Sequence, residues 1–475
     1  MKTILKALSA VALTGVMVLP VLADDATTTT DGTDSKDLKK VIEDQGINYV
    51  ETAQKGITLS GYVDVSYTNE FAGRGAPFGD NNPGASSVGG TNGGIHQFDT
   101  NADGFNVQAV KLALEKALPD KNEWAAGFRV DTILGSDARG LGDAAFGDSN
   151  GGSGLALEQA LVKFRIPIGN GLDIYAGKFV TLLGYEVIES PANPNFSRGL
   201  LFTNAIPLTN TGVYADYKFN DTFEAKFGVV DGWNNSESLP SNDPQASYGF
   251  GGKALTGQLN INNPGKNANI TQSFIYSPDS NEPIVGNTGP TVGGGDNGPS
   301  VVYDIWGNWN PTFDKGGNTT LGFNIDLGYN GASGDPVTGG SGNEPQALHE
   351  DTDTWWGIAL YSIYKFNKVF TLAGRAEYLH DSAGANPIGG NELVDGTSGN
   401  KFGAGGTFQG TPGTASYHFT PGAQDDYSYT LTATFNIWDN LLTRAEYRID
   451  DLSGDTTGST NTIANEVSLE AVYSF

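Results

Sequence analysis

Asn465-Glu-Val-Ser-Leu-Glu-Ala-Val-Tyr-Ser-Phe475 is the stretch on which the reading of the whole chain turns. Val467, Leu469, Ala471, Tyr473 and Phe475 fall on one face of an extended strand, and Glu466, Ser468, Glu470, Val472 and Ser474 fall on the other. This is the period of two that a strand imposes, and it runs to the last residue. Chain ends ordinarily fray, yet this one is an aromatic with an apolar face behind it. A membrane-crossing β-strand needs about 9–11 residues, apolar toward lipid and polar toward the lumen. The segment fits that length and pattern. Taken alone, it also fits the edge strand of a soluble sandwich.

Composition narrows the choice. The chain has 475 residues, 38% of them hydrophobic, with 66 Gly and no Cys. No apolar run after residue 23 approaches the ~20 residues of a membrane helix, which leaves a soluble, a partly disordered or a β-barrel protein. Lys2 and Lys6, the apolar core Leu8 to Leu19 and the small-residue end Val21-Leu22-Ala23 read as a secretory signal peptide over 1–23. Without cysteine, disulfides and a cysteine-linked lipid are excluded. The net charge of −27 becomes −29 once Lys2 and Lys6 are removed. That acidity argues against nucleic acid and against anionic membrane surfaces, and suits a surface bathed in divalent cations. Residues 24–56 are polar and read as a periplasmic N-terminal segment.

From Ile57 the alternation recurs, in about sixteen segments near 57–70, 106–118, 123–135, 156–168, 171–180, 211–220, 222–232, 252–262, 268–278, 300–312, 319–330, 354–366, 369–380, 427–438, 441–450 and 465–475. The two near 252–262 and 268–278 are weakest, so fourteen remains an alternative. The connections alternate in length. Short Gly, Asn, Asp or Pro turns such as Asn220–Asp221, Asn367–Lys368 and Asp439–Asn440 separate long loops such as 71–105, 181–210 and 381–426. A sandwich has no reason to gather its long loops at one end, whereas an outer-membrane barrel has short periplasmic turns, long extracellular loops and an even strand count. Aromatics flank the short turns, with Tyr217, Phe219 and Phe223 at one and Phe366 and Phe370 at another, as in an interfacial girdle. The expected fold is an all-β transmembrane antiparallel barrel over 57–475, wide enough to admit water.

Residues 171–234 add a resemblance. Ile174-Tyr-Ala-Gly-Lys-Phe179, Gly184, Pro191, Asn195-Phe-Ser-Arg198, Thr211-Gly-Val213 and Val229-Val-Asp-Gly-Trp-Asn234 resemble, in order and spacing, the OmpL-like β-barrel porins of the second type. The similarity extends less sharply from Ile57 to Phe475. It implies an outer-membrane pore for small hydrophilic solutes or ions, with no cofactor, and brings no particular solute. Among such barrels homotrimers are common. Tyr473 and Phe475 are similar to the closing aromatics that outer-membrane proteins present to their insertion machinery. In sixteen-stranded porins the third long loop commonly enters the barrel, and the resemblance implies the same for 181–210.

That loop differs from the others in composition. It carries Leu182, Leu183, Val187, Ile188, Phe196, Leu200, Leu201, Phe202 and Ile206, an apolar surface that must pack on something. The lumen wall is the nearest candidate, and the barrel rim or another subunit is the alternative. Glu186, Glu189 and Arg198 would then be the charges nearest a constriction. Strand parity places Arg129, Lys163, Arg165, Lys226, Arg375, Arg444 and Arg448 in the lumen with Asp216, Asp326, Glu377 and Glu446, among others of both signs. The signs nearly balance, so a weak cation preference is expected from the acidic vestibule rather than from the wall. Arg375-Ala-Glu-Tyr378 recurs as Arg444-Ala-Glu-Tyr447, with Arg and Glu on one face each time.

Asp99-Thr-Asn101-Ala-Asp103-Gly104 begins like a calcium loop, but position 110 is Val where the pattern needs Glu, so weak Ca²⁺ binding and an ordinary polar loop both fit. Four scattered His and no Cys provide no metal-catalytic spacing. No catalytic residue is expected. The runner-up to a porin is a plugged barrel whose extracellular loops bind a partner or surface.

Overall fold

The computed structural model of the chain describes residues 56–70, 98, 103–141, 154–232, 253–277, 299–330, 353–382, 407–409, 418–420, 424–453 and 462–475. The expected signal peptide and nearly all of the polar segment 24–56 lie outside them. Among the described residues eighteen strands form, in the order β1 (Ile57–Glu70), β2 (Asp103–Lys116), β3 (Ala125–Leu134), β4 (Leu155–Ile166), β5 (Leu172–Val180), β6 (Thr209–Lys218), β7 (Phe223–Val230), β8 (Ala254–Asn262), β9 (Ala268–Ser277), β10 (Ser300–Trp309), β11 (Thr319–Asn330), β12 (Asp353–Lys365), β13 (Phe370–Asp381), β14 (Thr407–Gln409), β15 (His418–Thr420), β16 (Gln424–Trp438), β17 (Leu441–Ser453) and β18 (Thr462–Ser474). Sixteen close into one barrel in which each strand neighbours its sequence neighbour; β14 and β15 form a separate ribbon within the connection from β13 to β16. Fourteen is thereby set aside, since β8 and β9 are full strands paired from Leu255↔Tyr276 to Asn262↔Asn269.

β11 shows how sequence becomes wall. In Thr319–Asn330 the residues Gly322, Asn324, Asp326 and Gly328 are buried on the inner side, while Leu321, Phe323, Ile325 and Leu327 alternate with them on the outer side. Its turn from β10 is closed by Asp314, whose carboxylate accepts from the amides of Gly316 at 3.0 Å, Asn318 at 2.8 Å and Thr319 at 2.7 Å. Asn220 and Asn367 cap their turns alike, each accepting from the amides two and three residues on. The outer ends near these turns carry packed rings: Tyr364–Phe366 at 4.7 Å, Phe366–Phe370 at 5.0 Å and Phe370–Phe435 at 5.1 Å.

The barrel closes between its first and last strands. Tyr62↔Ser474 through Glu70↔Glu466 pair antiparallel. Gly61 and Phe475 exchange backbone hydrogen bonds of 3.0 and 2.9 Å at the edge of the seam. Closure leaves no strand edge and satisfies the backbone within the sheet, as the hydrocarbon of a bilayer demands.

Two departures from strict alternation matter. In β4, Glu158 is an extra residue, because Asp131 pairs with Gln159 but Thr132 pairs with Leu157. This bulge turns inward a carboxylate that parity would send to lipid. After β3, Gly135 takes φ +118°, a conformation that favours glycine, and the chain enters the short helix α1 (Ser136–Gly140).

Candidate functional site

The connection from β5 to β6 supplies the only apolar loop in the sequence, and the structure places it inside the barrel. It contains a 3₁₀ turn, Ser190–Ala192, and one short helix, α2 (Leu200–Asn204). Leu182, Leu183, Ile188, Leu200, Leu201, Phe202 and Ile206 join a core with Phe98, Phe179 and Tyr214 and with wall residues such as Trp355 and Tyr361. Each such side chain contributes about 1.5–3 kcal/mol when fully withdrawn from water.

Polar anchors then fix the loop to most of the circumference. At its start, Gln258 of β8 and Ser273 of β9 donate to the Leu182 carbonyl at 2.6 and 2.8 Å. Gly184, in the left-handed region at φ +95°, donates to Asp304 of β10 at 3.1 Å. Tyr185 donates its amide to Asn324 of β11 at 2.7 Å and its hydroxyl to Asn308 at 2.8 Å. Its ring stacks on Tyr361 of β12 at 4.1 Å. Gly322 makes this possible, because a Cβ there would lie 2.7–2.9 Å from the Tyr185 ring and hydroxyl.

The recurring Arg-Ala-Glu-Tyr motif forms the central clamp. Arg375 of β13 bonds Glu186 at 2.8 Å, the Ser197 carbonyl at 2.6 Å and its own neighbour Glu377 at 2.8 Å. Arg444 of β17 donates to the carbonyls of Ser190 at 2.9 Å and Asn193 at 2.6 Å, and pairs with Glu470 of β18 at 3.1 Å. Glu446 accepts from the amides of Phe196 at 2.7 Å and Ser197 at 3.0 Å. Within each motif Arg holds loop oxygens and Glu receives loop amides, with Glu377 accepting from Leu201 at 3.4 Å.

Glu189 bonds Lys111 of β2, and Ser190 donates to Glu470 of β18 at 2.5 Å. Lys111 also pairs with Glu158 at 2.6 Å and Asp131 at 3.2 Å. The three carboxylates have oxygens within 4.8 Å of one another, a metal-like grouping in which the Lys111 ammonium is the cation. Arg198 pairs with Asp137 of α1 at 2.5 Å and also bonds the Ile188 carbonyl. Burial pushes the Asp137 carboxyl up to about 6, against the pull of Arg198.

This changes the sequence expectation for Glu186, Glu189 and Arg198. All three are buried, at 3%, 6% and 3% exposure, and each is closed in an ion pair. They tie the loop down and present little charge to passing water. Glu466 and Glu470 likewise face inward but are buried and paired, Glu466 with Arg448 at 3.2 Å. Arg448 also holds Asp450 at 2.8 Å. Asp326 lies opposite Asp304 on the neighbouring strand, both bridged by the Asn324 amide.

The remaining expected lumen residues lie together on the arc from β2 to β7. Arg129 pairs with Glu115 and Asp131, and Lys163 with Glu115. Arg165 of β4, Asp173 of β5, Asp216 of β6 and Lys226 of β7 stand in one register row across four strands. Arg165 chelates Asp173 through bonds of 2.7 and 2.6 Å, and Lys226 reaches Gln258 at 3.0 Å. Beside the row, Tyr175 stacks on Tyr214 at 4.7 Å. Arg165 and Asp173 keep 18% and 14% of their side chains exposed, unlike the clamp residues.

Sequence reasoning missed Tyr185, Asp137 and Glu158. A glutamate at lipid-facing parity is itself a signal for a bulge. The partners of Tyr185 and Asp137 lie too far along the chain to be paired by inspection. Of the candidate calcium loop, Asp99 and Asn101 lie outside the described residues; Asp103 begins β2, and its side chain is likewise outside them.

The sequence profile of the family described as "Putative beta-barrel porin-2, OmpL-like" matches residues 56–475. No curated protein matches the sequence. Among solved structures, the outer membrane channel DcaP of Acinetobacter baumannii is similar with a TM-score of 0.50 at 12% identity, over 88% of this chain and 97% of that one. OprB of Pseudomonas putida is similar with a TM-score of 0.49 at 12% identity, over 93% and 97%. At such identities the likeness to DcaP concerns the fold alone.

Proposed function

The chain belongs to the OmpL-like family of β-barrel porins, and from that premise we propose the route by which solutes cross it. It is an outer-membrane porin, and small hydrophilic solutes diffuse passively through its water-filled lumen. Water and solute pass between the third loop and the arc β4–β7. The observation that carries this is the asymmetry of the polar anchors: the loop's clamp residues lie on β8–β13, β16–β18 and β2, whereas Arg165 and Asp173 pair with each other across β4 and β5 and keep 18% and 14% of their side chains exposed. A row of both signs favours neither ion strongly, so the weak cation preference comes from the acidic loops outside.

Residues 1–23 direct export, 24–56 stay in the periplasm, and Tyr473 and Phe475 serve recognition by the insertion machinery. The barrel assembles as a homotrimer in outer-membrane lipid. Its action requires no catalytic group or cofactor.

The number of buried anchors favours a second reading, a plugged barrel whose extracellular loops bind a partner or surface. Planar-bilayer recording of the protein and of a variant lacking 187–205 separates the two. A porin conducts, and conducts several-fold more without the segment. A plugged barrel conducts in neither form. Reversal potentials with a clear anion preference would overturn the proposed selectivity.

A further inference from the structure

One buried carboxylate takes no part in fastening the loop. Asp64 lies on the inner face of β1, 0% exposed, and neither of its oxygens has a hydrogen-bond donor. Among the described residues it is the one buried aspartate of which this holds for both oxygens. It has no salt bridge among them either. The guanidinium beside it, that of Arg198, is bonded to Asp137 and to the Ile188 carbonyl.

What faces Asp64 is another acid. Glu470 of β18 lies within hydrogen-bond reach of it at the closing seam, where Asp64 pairs with Val472 and Ser66 with Glu470. Asp137 of α1 is a further carboxylate neighbour. Arg198 is bound to Asp137, and Arg444 to Glu470 at 3.1 Å, so of these groups three carboxylates meet two guanidiniums. Two residues back on the same face of β1, Tyr62 is 6% exposed, and its hydroxyl also has no partner. Asp137 neighbours both side chains, so hydroxyl and carboxylate border one enclosed space. An ionised carboxylate withdrawn from solvent without a donor or a counter-charge is strongly disfavoured.

We infer that Asp64 and Glu470 hold a calcium ion beneath the third loop, with the Tyr62 hydroxyl as a neutral ligand. Every donor is an oxygen, which suits a hard cation rather than zinc or copper. Magnesium keeps several of its waters, whereas calcium accepts irregular sets of carboxylate and neutral oxygens, as a site sealed from solvent requires. Glu470 can serve although Ser190 and Arg444 already bond it, because each carboxylate oxygen carries two lone pairs. An ion so placed ties β1 to β18 and, through Ser190 on Glu470, to the loop. It is structural, and it is the same ion whether the barrel conducts or is plugged.

The test uses the full-length barrel, purified in detergent and stripped with EDTA, so that ions bound to lipopolysaccharide take no part. Calcium is expected to raise its unfolding midpoint by several degrees, read from heat-modifiable gel mobility, and sodium chloride at equal ionic strength to leave it unmoved. Asp64→Asn is expected to abolish the shift. Asp99→Asn, in the candidate calcium loop of the sequence, is expected to keep it. Terbium in calcium's place is expected to emit under tyrosine excitation, to be displaced by calcium and to lose most of its emission in Tyr62→Phe. Where Asp64→Asn yields no folded barrel, the terbium comparison of wild type with Tyr62→Phe decides alone. A wild-type midpoint that calcium leaves unmoved, a shift that survives Asp64→Asn or vanishes in Asp99→Asn, or terbium emission unchanged in Tyr62→Phe would each overturn the site. So would an Asp64→Asn barrel as stable without calcium as the wild type with it, the result expected if the two carboxyl groups share a proton instead.

Discussion

Arg375→Met tests whether the third loop is held by its buried clamp. The guanidinium joins Glu186 and Glu377 at 2.8 Å each, the Ser197 carbonyl at 2.6 Å, and the Ser197 and Thr430 hydroxyls at 3.1 Å. Methionine fills the space but leaves two carboxylates buried without their cation. Removing one partner of a buried ion pair costs about 3–5 kcal/mol. At about 1.4 kcal/mol per tenfold, the preference of the central loop for its docked position falls by two to three-and-a-half orders of magnitude. The remaining anchors, Lys111–Glu189, Arg198–Asp137 and Arg444–Asn193 among them, keep the loop within the barrel. The expected trace in single-channel recording therefore shows excess open-channel noise and a larger-conductance substate rather than one uniformly wider pore. Adding Glu186→Gln and Glu377→Gln removes the stranded charges and is expected to quieten the trace. A folded Arg375→Met barrel, judged by heat-modifiable gel mobility, whose trace matches wild type would refute the clamp. So would a triple variant noisier than the single one.

Other consequences are equally direct. Gly322→Val places a branched side chain where the Tyr185 ring lies, and overpacking of this kind costs about 1–3 kcal/mol; lower thermal stability and altered tyrosine and tryptophan fluorescence are expected, because Tyr185 also meets Trp306 edge-on at 5.9 Å. Asp137 has a folded value of about 6 against an ordinary 3.8, so its ionisation is disfavoured in the native state and stability from this group declines as pH rises from about 4 to 6. Asp137→Asn should flatten that part of a melting-temperature profile, and an unchanged slope would count against it. Asp173→Asn with Asp216→Asn removes both negative charges of the lumen row and should lower cation over anion permeability, read as a shift in reversal potential. Deleting Phe475 removes the two terminal backbone bonds to Gly61 and should reduce the yield of heat-modifiable barrel in outer membranes.

Most of the wall was legible because a strand writes its two faces into alternate residues. β1 and β11 fall where the alternation places them, and the strand ends elsewhere differ by a few residues where ladders stop short of the pattern. Glu158 escaped because a bulge breaks that parity, and α1 escaped because five residues are too few to show a helical period. The site was legible only in part. Apolar composition marked residues 181–210 as a loop that must pack, yet the meaning of its charges depended on partners from Lys111 to Glu470. In sequence Glu186, Glu189 and Arg198 read as the charges nearest a constriction; in the structure each is closed in a buried ion pair that fastens the loop. The repeated Arg-Ala-Glu-Tyr was visible, but nothing local to either copy says that both grip the same segment.

Two adjacent residues of that loop also bear on the order of events during assembly. Glu189 is fastened to β2 and Ser190 to β18, the strands on either side of β1. The loop thus spans the closing seam from within, like a stitch. Joining residues as distant as Tyr62 and Ser474 costs about 5 kcal/mol of chain entropy when done in one step. A loop that first gathers β2 and β18 turns that long search into a short one. The seam would then shut around a filled interior, and a barrel that closed first would exclude its own loop.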